Sequence, residues 1–81
     1  MTGRLETLAD APVDAVRCVE SVGVGLRDSG HDRALGLRRG VVVRVLARFP
    51  ETAPHFVEVE IGNRRASLPL PLAAQVRVSV C

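Results

Sequence analysis

Lysine, tryptophan and tyrosine are absent from the 81 residues, and phenylalanine and cysteine occur only twice each. With two phenylalanines as the sole aromatic rings, the stacking platform that single-stranded nucleic acid binders use is not expected. Positive charge rests entirely on eleven arginines against nine acids, and the net +2 is too weak a field to make nucleic acid the default partner. Gly23-Val24-Gly25 has the look of a phosphate loop, but no Lys-Ser or Lys-Thr follows, so nucleotide binding is not expected and these glycines are read as a bulge or bend. No apolar run approaches the ~18 residues of a membrane span. No apolar stretch of the secretory kind follows Arg4, and a cytoplasmic location is expected. Cys18 and Cys81 lie far apart without metal-ligand spacing, which predicts two free thiols, Cys18 as a small core residue and Cys81 as a terminal thiol.

What the chain has in abundance is valine. Fourteen valines with nine leucines and one isoleucine predict a strand-rich fold. Val41, Val43, Val45, Ala47 and Phe49 alternate with a face that carries Arg44 and Arg48. Val57, Val59 and Ile61 alternate with Glu58 and Glu60. Antiparallel pairing of these two strands would set the acids opposite the two arginines. The loop between them, Pro50 to His55, has a proline near each end and reads as a stiffened hairpin loop. Ala66, Leu68 and Leu70 form a further alternating segment in which Pro69 belongs at an edge or a strand end. Pro71 opens a short turn over Leu72 to Gln75, and Val76, Val78 and Val80 alternate as a last strand.

Ahead of these, Ala15 to Val24 reads as a bulged strand with Val16, Cys18, Val22 and Val24 on one face and Val19 out of phase. Between Arg27 and Gly40 a helix is predicted, capped by Asp28 or Ser29, with Asp32 in its first turn. Gly36 would take the left-handed position at its end, with Leu37 folding back as the apolar contact of a Schellman cap. Five short strands with one helix after the first make a small β-barrel the economical arrangement, since it buries one face and removes open edges. Residues 1–81 thus form one mainly β domain. Its core is thin enough that weak self-association is an expectation.

The block Leu35-Gly36-Leu37-Arg38-Arg39-Gly40-Val41-Val42-Val43-Arg44-Val45-Leu46 resembles the ferrous iron transport protein A (FeoA) family, which has a Leu-Gly-Leu-x-x-Gly turn after a short helix and then an apolar strand. Pro50 and Pro54 match two prolines of that family's Pro-Leu-Gly-Asp-Pro loop, and Gly62 matches the glycine closing the next strand. Ser67-Leu68 stand where Ala-Leu is usual, and Ala73 to Val78 resemble the terminal Ala-x-x-Ile-x-Val. Thr52-Ala53 and Pro69 depart from the pattern. The resemblance implies an SH3-like barrel without enzymatic activity or cofactor. It further implies a protein that assists the membrane GTPase importing ferrous iron, contacting its cytoplasmic GTPase domain and meeting the membrane only through the transporter. Two other SH3-like readings exist: a barrel binding RNA or ribosomal components, and the module at the end of iron-dependent repressors.

No pair among His31, His55, Cys18 and Cys81 has the C-x-x-C or H-x-x-x-H spacing that arranges a metal site. No serine sits in a G-x-S-x-G elbow, so neither a metal nor a catalytic residue is expected. Contact with a partner is expected of Arg38 and Arg39 at their turn, and of Pro50, Glu51, Pro54 and His55 in the proline-bounded loop. Arg64-Arg65 is the other basic doublet. Gly36, Gly40 and Gly62 are expected to be structural turn positions.

Overall fold

The computed structural model describes residues 6–50, 52, 53 and 55–81. Six strands, β1 (Glu6–Thr7), β2 (Val16–Val22), β3 (Val42–Phe49), β4 (Phe56–Ile61), β5 (Arg64–Pro69) and β6 (Val76–Ser79), form one antiparallel sheet in the order β1-β6-β2-β3-β4-β5. Three short helices, α1 (Val24–Ser29), α2 (His31–Leu35) and α3 (Leu70–Ala73), fill the connections. The inner face buries Val19, Val43, Val45, Val57, Val59, Ile61, Leu68, Val76 and Val78, and Leu8, Leu26 and Leu37 cover them. A parallel bridge from Val13 to Val45, with the Asp14 amide donating to the Val45 carbonyl at 2.7 Å, curls the chain over that core. The expected small β domain is thus present, with an extra strand at its start and more helix than foreseen. β1 and β5 remain as margins of the sheet.

A bulge at Leu46 decides what β3 presents. Arg44 lies opposite Glu60 as expected, joined to it at 3.1 Å, but the register shifts between Val45 and Ala47. One inserted residue swaps the faces of everything after it. Arg48, expected beside the acids of β4, therefore turns inward opposite Val57 and donates to the carbonyls of Ala9 and Ala11. Phe49, expected in the core, turns outward and stacks on Phe56 with ring centroids 6.0 Å apart. β2 carries the bulge expected of it, but its inner face is the other one. Its bulge lies between Val19 and Ser21, so Val19 is the buried residue while Val16 faces out and Val24, past the strand, opens α1.

The helical segment also differs from the expectation. It is two helices, not one: Gly30 in the left-handed region ends α1 and starts α2. Neither Asp28 nor Ser29 is the N-cap residue of a helix; Gly23 precedes α1 and Gly30 precedes α2 in that position. The Gln75 side chain reaches across from the turn before β6 and accepts the Leu26 amide at 3.0 Å, while the Gln75 carbonyl accepts the Gly23 amide at 2.7 Å. A Cβ on Gly25 would lie 2.7 Å from Gln75 Oε1, so the glycine is the space the capping amide occupies. At the end of α2 the predicted Schellman cap is present. The Leu37 amide donates to the Asp32 carbonyl and the Gly36 amide to the Arg33 carbonyl, with Leu37 buried. Gly36, Gly40 and Gly62 all have positive φ, as their turn roles require. Pro69 ends the marginal strand β5, and Pro71 lies in the first turn of α3.

Cys18 and Cys81 are joined in a disulfide, which corrects the expectation of two free thiols. Cys18 pairs across the strands with Ser79 at the end of β6, so Cys81, two residues further along the chain, lies within reach of it. That proximity, with Cα atoms 5.1 Å apart, arises from strand pairing between residues separated by 63 positions.

Valine at Gly36 or at Gly40 is expected to lower stability by about 1–2 kcal/mol, because φ is 74° and 90° at these positions; unchanged chemical denaturation midpoints would refute the turn assignment. Gln75→Ala is expected to cost about 1 kcal/mol through the lost cap. Gly25→Ala should destabilise the native protein yet stabilise the Gln75→Ala background by up to about 1 kcal/mol, since the helix then gains alanine without a clash. Equal effects in both backgrounds would contradict the contact. Thiol titration of the unreduced, denatured protein should find no free thiol, and reduction should cost about 2–5 kcal/mol of stability.

Candidate functional site

The Schellman cap on α2 does more than end a helix. By burying Leu37 it forces the next two residues outward, and Arg38 and Arg39 stand exposed on a turn held by the Val41 amide on the Arg38 carbonyl and the Gly40 amide on the Val19 carbonyl. Two adjoining depressions open beside this turn. One, of about 400 Å³, is lined by Asp32, Arg33, Gly36, Leu37 and Arg38. The other, of about 260 Å³, shares Asp32, Leu37 and Arg38 and adds Arg27, Arg39, Ser21 and Val22. Together they make a groove between the two helices and the end of β2, with four guanidinium groups around one carboxylate.

Arg27 and Arg33 escaped the sequence reading. Each lies in the last turn of its own helix, where a cation is ordinarily explained by the helix dipole. Only the break at Gly30 folds α2 back so that both join Arg38. That glycine, directly after the expected caps Asp28 and Ser29, was the available signal. Among the described residues the ion pairs are Arg17 with Glu6 at 2.7 Å and Arg44 with Glu60, so no carboxylate neutralises the four groove arginines. The Asp32 carboxylate is turned to its own helix, accepting the Arg33 amide at 2.8 Å.

The remaining candidates lie elsewhere. Pro50 and His55 belong to the β3–β4 loop, after a cis Phe49-Pro50 bond, where the His55 amide donates to the Phe49 carbonyl and the Leu70 amide to that of His55. Glu51 and Pro54 lie outside the described residues. Arg38-Arg39 and the Pro50 loop flank opposite ends of β3, whose eight residues span about 25 Å. The structure therefore splits the expected contact residues into two regions. Arg64 and Arg65 start β5 after the Gly62 turn, at the Arg38 end of the sheet but outside the groove lining. His31 Nδ1 lies 2.7 Å from Ser29 Oγ on the helix surface. Among the described residues no three of histidine, cysteine, aspartate and glutamate come together, and no polar or charged residue is buried.

No family model and no curated protein matches the sequence. Solved structures do. The Stenotrophomonas maltophilia FeoA, an SH3-domain protein crystallised with zinc, is 28% identical, with 91% of this chain and 89% of that one covered at a TM-score of 0.75. The FeoA-like protein of Clostridium acetobutylicum, at 14% identity, covers 98% and 90% with a TM-score of 0.79. This chain is FeoA-like. The resemblance read from Leu35 to Leu46 and the SH3-like architecture both stand. The same fold occurs within a manganese-dependent transcriptional repressor in complex with manganese, TM-score 0.81 at 18% identity, where the FeoA-like chain matches 38% of the repressor's length. No helix among the described residues is long and apolar enough to cross a membrane.

Proposed function

We propose that this FeoA-like chain is a non-enzymatic accessory protein of ferrous iron transport, working in the cytoplasm by docking on the GTPase domain of the membrane iron transporter and changing its turnover. The observation that carries this reading is the likeness, over nine-tenths of the chain, to the Stenotrophomonas maltophilia FeoA, which is described as a candidate ferrous iron transport activating factor. Two features support a docking role over catalysis. The inner face is filled by valine and leucine side chains. The polar concavity is an open groove bordered by four arginines, which offers charge for recognition.

The test is GTP hydrolysis by the purified transporter with and without this protein, alongside calorimetric titration onto the transporter's soluble GTPase domain. Because a reducing cytoplasm favours thiols over disulfides, both assays are run with Cys18 and Cys81 reduced and again with them paired. Saturable binding with a hydrolysis rate changed about twofold or more is expected; a monodisperse, folded sample that neither binds nor alters the rate in either redox form overturns the proposal.

A further inference from the structure

We infer that the groove bounded by Arg27, Arg33, Arg38 and Arg39 is a docking site for an acidic peptide segment of a partner protein. This rests on the docking reading above and supplies its face and its chemistry. The first argument is charge. Four arginines border the groove against Asp32 alone, an excess of positive charge larger than the +2 of the whole chain. None of the four is paired to a carboxylate among the described residues, whereas Arg17 and Arg44 are. Guanidinium groups bind carboxylates in a two-pronged geometry, and exposed ones without an internal partner are available to do so.

The second argument is distribution. Arg33 borders only the larger depression, Arg27 and Arg39 only the smaller, and Arg38 stands between them. A single phosphate would engage one depression. An extended chain with separated carboxylates matches both. Asp32, at the junction, opposes a uniformly negative ligand there and favours an uncharged residue between flanking acids. Leu37 and Val22 give that residue an apolar floor. A nucleic acid fits less well, because both aromatic rings, Phe49 and Phe56, stack at the far end of β3 and none lines the groove.

The probe is a fluorescein-labelled peptide of sequence EEDLEEDG, titrated with the intact protein by fluorescence anisotropy. Saturable binding is expected, weakening several-fold between about 50 and about 300 mM NaCl as the charges are screened. R33E/R38E should weaken it roughly tenfold or more, while R64E/R65E, which changes the chain's charge equally outside the groove, should leave it within about twofold. All four arginines are exposed, so melting temperatures should match that of the unaltered protein. Three results overturn the inference: no saturable binding at low salt, equal loss in the two double variants, or a single-stranded RNA oligomer of equal charge binding more tightly with the same sensitivity to R33E/R38E. The transporter takes no part in this assay, so loss of the groove and loss of the iron-transport reading are distinguishable.

Discussion

β3 is the strand on which the other elements depend. Its two sides pair with β2 and β4, and past the end of the β2 pairing the Val45 carbonyl accepts the Asp14 amide, while at Leu46 one residue is inserted against β4. Beyond the bulge, the reversed faces send Arg48 inward, where its guanidinium satisfies the carbonyls of Ala9 and Ala11 in a segment that has no strand partner there. A half-buried irregular segment must satisfy its backbone groups somehow. Here one long side chain, aimed by one bulge, does so for two residues. The hydrophobic lid formed by Leu8 and Ala11 over the valine core rests on that arrangement.

What could be read in advance follows from the range of each signal. The alternation of Val57, Val59 and Ile61 with Glu58 and Glu60 is written in adjacent residues, and so is the helix end at Leu35-Gly36-Leu37. Both were legible. The bulge of β3 was not, because periodicity before and after it looks equally regular, and the phase error carried Arg48 and Phe49 to the wrong faces. In β2 the bulge was expected, but not which side of it faces the core, and Val19 rather than Val16 and Cys18 is buried. Gly23 and Gly25 could be marked as unusual, but the residue that explains them, Gln75, is 49 positions beyond Leu26. The disulfide belongs to the same class, since only the pairing of β2 with β6 brings its ends together. Half of the groove was visible as Arg38-Arg39; the other half needed the turn at Gly30.

One fold serves both stand-alone FeoA proteins and a module within a metal-dependent repressor, so architecture alone does not select a role. What individualises this chain is where its exposed chemistry is placed. Cationic groups gather where α2 hands over to β3, and the proline-bounded loop with its outward aromatic pair lies at the opposite end of that strand. A strand is a stiff spacer. The arginine turn and the aromatic pair are held apart by it, so a change at one end need not deform the other.

The margins of the sheet have a bearing on assembly. An unpaired strand edge is a template on which another chain can build. β1 lies at one margin, where Glu6 and Thr7 are its described residues. β5, at the other, starts with Arg64 and Arg65 and ends at Pro69, which has no amide hydrogen to donate. Between them only Ala66, Ser67 and Leu68 remain as plain backbone. A second copy adding edge to edge on β5 would meet repelling arginines first and a missing donor last, so this margin carries its own protection against growing into a fibre.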